Sequence, residues 1–133
     1  MLRNSDDSMV RTEMKKTSSL FTLVDGFRIP SDKAEEYKRM RDHMAAEGEK
    51  FLRTFCVEVK KQPLFDLVGD GICGYSASGE MLARISLDPF ELSAMNVAFG
   101  RKKLKEYILA ANGYDENDYQ ALLAEYEESR KKQ

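Results

Sequence analysis

A change of hydrophobic period at Asp88 places a strand and a helix end to end in the middle of the chain. In residues 81–87 every second position is apolar, namely Met81, Ala83, Ile85 and Leu87, which is the period-two pattern of a strand with one buried face. Asp88 then suits a helix N-cap, Pro89 the first helical position, and Glu91 the partner residue of a capping box. The chain therefore combines strands and helices, with no linker between them at this point.

The pattern along the rest of the chain predicts an α+β fold. Residues 20–29 read as a first strand with a bend at Asp25-Gly26, and a long amphipathic helix follows to about Arg53, interrupted by Gly48. Further strands are predicted over residues 55–60, 64–68, 72–75 and 81–87. Further helices are predicted over residues 89–111 and from Asp115 onward.

This order of elements predicts a small antiparallel sheet of four or five strands. One long helix follows the first strand, and we expect the two C-terminal helices to pack on one face of the sheet. Residues 1–19 are polar and charged, which predicts a flexible N-terminal tail. Residues 20–133 have the length of a single domain.

Charge and cysteine content limit the classes of function. The 133 residues carry 21 basic and 23 acidic side chains, a net charge of −2, which argues against a protein whose whole surface coats nucleic acid. No apolar run is long enough to cross a membrane. Two distant cysteines and one histidine make neither a disulfide framework nor a zinc site. We expect a cytoplasmic protein without a metal or a cofactor.

The run GDGICG, residues 69–74, matches the glycine spacing of a dinucleotide-binding loop. That loop needs a helix after it, because the helix N-terminus holds the phosphates. Here residues 81–87 alternate as a strand, and no P-loop Lys-Ser or Lys-Thr follows. We therefore interpret the glycines as hairpin geometry, with tight turns at Asp70-Gly71 and Ser78-Gly79.

Two groups of residues support an enzymatic alternative. Cys73 would be a nucleophile if a base stood beside it, and His43 is the one histidine of the chain. Asp66, Asp70 and Glu80 would form a carboxylate cluster if the hairpins brought them together. Acidic residues are common at turns for structural reasons, so this alternative depends on a pocket.

The segment RKKLK supports a second alternative, a nucleic-acid-associated protein. Its cations are Arg101, Lys102, Lys103 and Lys105. They would contact phosphates from a helix that begins after Gly100. A helix-turn-helix is disfavoured, because Asn96 and Glu106 stand where a small and an apolar residue are needed. The more economical interpretation is the solvated face of an amphipathic helix.

The leading hypothesis is a small protein-binding module. Tyr114, Tyr119 and Tyr126 lie at or near a terminal helix with few other apolar residues, and tyrosines are enriched at interfaces. We expect these three to bind a protein partner, with Arg101 as a contact at the rim. Such a module would act as an adaptor, inhibitor or accessory subunit, of the kind that phages and other mobile elements encode. The oligomeric state is left open, a homodimer included.

Overall fold

The computed structural model describes residues 20–64, 66 and 69–132. The predicted tail over residues 1–19 lies outside this part of the chain, as does most of the strand predicted over 64–68. The chain divides into two compact units, one ending at Arg39 and the other beginning at Met40. A single domain over residues 20–133 stays a prediction.

The first unit contains a β-hairpin where a single strand was predicted. Strand β1 (Phe21–Val24) pairs antiparallel with strand β2 (Phe27–Pro30). Asp25 and Gly26 both adopt positive φ angles, 54° and 86°, as the tight two-residue turn of a hairpin requires. The bend predicted at Asp25-Gly26 is therefore a full reversal of the chain direction. A short 3-10 turn, Ser31–Lys33, leads into helix α1 (Ala34–Leu52).

The second unit contains a three-stranded antiparallel sheet. Strands β3 (Glu58–Pro63), β4 (Asp70–Tyr75) and β5 (Met81–Ser86) lie in the order β3-β4-β5. The prediction of one sheet with four or five strands is wrong, because the two N-terminal strands pair with each other. The α+β class is confirmed, with two antiparallel sheets and four α-helices in the part of the chain that the structure describes.

The glycine run forms the central strand of this sheet instead of a hairpin turn. Residues 71–74 of β4 are buried, and a Cβ at Gly71 would lie 2.6 Å from Leu64 Cδ1. A Cβ at Gly74 would collide with Cys56 Sγ. The turn predicted at Asp70-Gly71 is therefore wrong. The turn at Ser78-Gly79 is confirmed, with Gly79 at φ 87°.

The alternating pattern of residues 55–60 does not mark a strand that begins at Phe55. The backbone amides of Phe55 and Cys56 both donate to the Leu52 carbonyl, at 3.1 and 2.9 Å, so the chain is still turning after α1. Both side chains are buried there, whereas Val57 is exposed. Strand β3 begins one residue later, at Glu58.

Three helices follow β5: α2 (Pro89–Gly100), α3 (Leu104–Ala111) and α4 (Glu116–Lys131). The N-caps predicted for these helices at Asp88 and Asp115 are confirmed, since Asp88 accepts from the Glu91 amide at 2.9 Å and Asp115 forms a complete capping box with Asp118. The cap predicted at Ser31 or Asp32 for the first helix is wrong, because Pro30 takes the N-cap position there and no side chain caps the turn. The Glu91 carboxylate, which was expected to complete the first box, instead accepts the hydroxyl of Tyr107. This bond joins α2 to α3.

The helix predicted over 89–111 breaks at residues 101–103. Lys102 takes a left-handed conformation, with φ 59°. The amide of Lys102 donates to Phe99 at 3.0 Å and that of Lys103 to Ala98 at 2.7 Å. These two bonds are those of a Schellman motif, in which glycine is the usual left-handed residue. Gly100 is the last residue of α2.

One face of the sheet is packed by helices. A Cβ at Gly48 of α1 would lie 2.8 Å from Ile85 Cδ1, so the interruption in the helix gives β5 room to approach. The outer edge of β5 is also covered, since Asn112 exchanges hydrogen bonds with the backbone of Arg84 at 2.9 and 3.0 Å. This cover leaves the edge without free backbone groups at Arg84.

Candidate functional site

The three tyrosines of the predicted partner surface have different environments. Tyr119 is only 8% exposed, and its ring centroid lies 5.4 Å from that of Phe51. Its hydroxyl bonds Thr54 Oγ1 at 2.9 Å. Tyr114 donates to the Leu82 carbonyl. These two side chains therefore attach the C-terminal region to the rest of the second unit.

Tyr126 is the predicted tyrosine that a partner could reach with least rearrangement. Its ring is half-buried and lies beside a small pocket of about 200 Å³, which Leu122 and Ser78 also line. The Arg130 guanidinium lies 5.8 Å from the ring centroid. Binding at Tyr126 stays a prediction.

The basic segment is divided by the turn between α2 and α3. Arg101, Lys102 and Lys103 are exposed in that turn. Lys105 lies in α3, where it pairs with Glu116 at 3.1 Å and stands 4.6 Å from the Tyr119 ring centroid. The four cations therefore do not form one free surface, because Lys105 has intramolecular partners.

Cys73 and His43 lie on opposite sides of the sheet. Cys73 is fully buried, in register with Lys60 on β3 and Arg84 on β5. Successive side chains of a strand point to opposite faces, and α1 packs on the face of Gly74 and Ile85. His43 of α1 instead packs edge-to-face with Phe99, at 5.0 Å between ring centroids.

The environment of Cys73 favours the neutral thiol. Burial raises its pKa, and the nearby Arg84 and a hydrogen bond with Tyr75 oppose this only in part. Burial also raises the pKa of Cys56 to about 12. A nucleophilic cysteine needs the thiolate, so neither thiol is activated in this arrangement.

The three predicted carboxylates are separated. Asp66 forms a bidentate ion pair with Arg84, with both oxygens at 2.7 Å, and this guanidinium lowers the pKa of Asp66. Asp70 begins β4, whereas Glu80 follows its other end. A strand rises about 3.3 Å per residue, so these two residues lie at opposite ends of the sheet. Among the described residues, no group of three or more His, Cys, Asp or Glu is placed to hold a metal ion.

Among the described residues, the most exposed large apolar side chain lies on the outward face of α2. Phe90 is 88% exposed and Val97 is 54% exposed, and they lie seven residues apart on one side of the helix. The inner side is already filled by Leu92 and Met95, both fully buried. Glu91 is the one charged residue of α2. A helix with apolar residues on both sides is normally covered on both sides.

An open groove of about 620 Å³ lies on the other flank of α2. Its apolar part is formed by Phe51 of α1, Phe99 of α2 and Leu104 of α3. Four charged side chains line it as well: Glu47, Lys50, Lys102 and Lys105. Phe99 is 38% exposed, so part of this apolar lining faces solvent.

Sequence reasoning missed both of these surfaces, although α2 carried a signal for the first. The spacing of Phe90, Ala94 and Val97 places them on one side of a helix, and Leu92, Met95 and Phe99 lie on the opposite side. Two apolar stripes on one helix indicate two contacts. The groove had no such signal, since its lining comes from three helices.

Comparison with protein-family models, with curated proteins and with solved structures finds no significant match. No helix in the described part of the chain has both the length and the apolar content needed to cross a bilayer. The proposal of a function therefore depends on the surfaces of this chain itself.

Proposed function

We propose that the chain is a small protein-binding module that contacts its partner through the outward face of α2. The observation that carries this proposal is the exposure of Phe90 and Val97 on a helix whose inner side is already packed. Burying a side chain such as Phe90 in an interface contributes roughly 2 kcal/mol. Exposed apolar patches of this kind mark interaction sites in soluble proteins.

The proposed surface continues into the basic turn. Arg101 follows Val97 by four residues and is exposed, which fits the predicted role of a rim contact. Tyr126 would belong to a second contact area, while Tyr114 and Tyr119 would support it from within. The module would act by occupying a partner surface, as an adaptor, inhibitor or accessory subunit does.

A site-specific cross-linking experiment tests this proposal. A photoreactive apolar amino acid replaces Val97, or Ala121 as the control, an exposed residue on α4. Each variant is expressed in cells that naturally produce the chain, irradiated, and treated with nuclease. We expect one dominant protein adduct from position 97, competed by excess wild-type chain and not by Phe90→Ser. Equal adducts from both positions, or loss of the adduct with nuclease, would argue against the proposal.

A second candidate function is supported by three neighbouring exposed cations at the turn between two helices, Arg101, Lys102 and Lys103. Contacts to phosphates would make the affinity for nucleic acid fall steeply with salt. Changing these residues and Lys105 to Gln should then remove most of that salt dependence. Unchanged binding of nucleic acid by the four-residue variant would exclude this candidate.

A further inference from the structure

We infer that the groove formed by Phe51, Phe99 and Leu104 binds an acidic peptide segment that is anchored by an apolar side chain. The inference rests on the proposed protein-binding function. It concerns the opposite flank of α2 from Phe90 and Val97, so it can fail while that function holds. The shape, the lining and the charge of the groove indicate which kind of molecule binds there.

The apolar part of the groove fits a side-chain anchor. Its volume of about 620 Å³ lies within the range of ligand sites in proteins. Phe51 is half-buried and held by Tyr119 at 5.4 Å between centroids, and Phe99 is held by His43. The lining is therefore positioned before binding. Peptide segments commonly bind such grooves through a few apolar anchors.

The charged part of the groove favours an acidic partner. Three lysines and one acid line it, although the chain as a whole has a net charge of −2. Lys105 is already paired with Glu116. Lys50 and Lys102 are exposed, and both can donate to carboxylates of a partner in charge-assisted hydrogen bonds.

The lining favours a peptide over a nucleic acid. Base stacking needs a free aromatic face, whereas Phe99 packs against His43 and Phe51 against Tyr119 and Phe55. An acidic peptide can place its carboxylates at the lysines and its anchor on the apolar lining.

The backbone at Lys102 gives independent support. Its left-handed conformation, with φ 59°, occupies the Schellman position that glycine favours. A lysine at this position is strained, and Lys102 is one of the residues that line the groove. Strained residues of this kind concentrate at binding sites.

Selection of peptides on the intact chain tests the inference. A library of short random peptides is displayed and selected on the immobilised full-length chain, and enriched peptides are synthesised with a fluorescent label. We expect them to contain at least two acidic residues beside an aromatic or leucine anchor. Their affinity, measured by fluorescence anisotropy, should fall about tenfold in Lys50→Glu/Lys102→Glu. Competition by one peptide against another should show a single site.

Two further variants separate binding from folding and from overall charge. Lys61→Glu/Lys132→Glu changes the net charge equally at exposed positions outside the groove, and it should bind the peptides as the wild type does. Lys102→Gly relieves the strained backbone and should be at least as stable as the wild type, so weaker binding by a variant with that stability comes from the missing lysine side chain. Phe90→Ser should leave peptide affinity unchanged, which distinguishes the groove from the outward face of α2.

Several results would overturn the inference. These are the absence of enriched peptides, enrichment of basic or uncharged peptides, and equal affinity for the wild type and Lys50→Glu/Lys102→Glu. Displacement of the peptides by a labelled oligothymidine at physiological salt would assign the groove to nucleic acid instead. Loss of the cross-linked adduct at position 97, with peptide binding intact, would count against the proposed function alone.

Discussion

The thiol of Cys56 fills the space that a side chain at Gly74 would take. Cys56 lies just after α1, and Gly74 lies in the central strand β4, so the absence of a Cβ lets the end of the helix contact the sheet. The same Cβ would lie 3.7 Å from Leu52 Cβ. The last glycine of GDGICG is therefore a packing residue.

Gly74→Ala should lower the free energy of unfolding by about 1–3 kcal/mol, because it overpacks the contact with Cys56. Urea denaturation followed by circular dichroism measures the change. Gly100→Ala is the matched control, since a Cβ there meets no atom within 4 Å and should be neutral or slightly stabilising. Equal effects of the two substitutions would contradict the packing role of Gly74.

Tyr119→Ala should destabilise the chain by about 3–5 kcal/mol, because a buried ring is removed from the cluster with Phe51 and Phe55. Tyr119→Phe keeps the ring and loses the bond to Thr54, at a cost of about 1 kcal/mol. Thermal and chemical denaturation compare both variants with Tyr126→Ala. A small effect of Tyr119→Ala on the free energy of unfolding would support the prediction that Tyr119 contacts a partner.

Tyr107 should make stability depend on pH in the alkaline range. Burial and the adjacent Glu91 raise the pKa of Tyr107 from 10.0 to about 12. The folded chain thus holds this proton more tightly than the unfolded chain does. The stabilisation is fully present below pH 10.0 and is lost as the pH rises through about 12. Chemical denaturation at a series of pH values should show a smaller alkaline loss for Tyr107→Phe, and parallel curves would contradict the assignment.

Both cysteines should react slowly with a thiol reagent while the chain is folded. Cys56 and Cys73 are buried, and burial raises the pKa of each thiol. Labelling followed by mass spectrometry should show modification only as denaturant exposes the core. Rapid labelling of Cys73 in the native chain would revive the enzymatic alternative.

Lys102→Gly should raise the free energy of unfolding by about 0.5–1 kcal/mol, because glycine adopts the left-handed conformation without steric cost. Lys103→Gly is the control, since Lys103 has a negative φ, −125°. This substitution should not raise the free energy of unfolding. Urea denaturation of both variants measures the difference. Destabilisation by Lys102→Gly would show that the lysine side chain supports the fold.

Local signals predicted the starts of α2 and α4 correctly, but not the start of α3, which lies inside a longer predicted helix. The side chains of Asp88 and Asp115 cap α2 and α4 by accepting hydrogen bonds from backbone amides three residues ahead. Such contacts depend on only a few consecutive residues. The turn at Ser78-Gly79 was predictable for the same reason. Local pattern failed where backbone geometry decided the outcome, as at Asp25-Gly26 and at Lys102, where the chain reverses or breaks through positive φ angles.

The candidate site was predictable only in part. The spacing of Phe90 and Val97 on a helix with one charged residue was present in the sequence. Whether that face was covered depended on the other helices. The predicted tyrosine surface shows the same dependence, since Phe51 and Thr54 lie far from Tyr119 along the chain and meet it only in the folded structure.

The sequence by itself determined the α+β class, the N-caps of α2 and α4 and the apolar stripes, because each depends on backbone hydrogen bonds and periodicities within a few residues. Only the tertiary structure decided which strands pair, why Gly74 must lack a side chain, and which cations share a groove. Those outcomes depend on contacts between residues distant in the chain. One such contact puts Cys56 against the last glycine of β4, and another brings Lys50 and Lys102 to the same apolar groove.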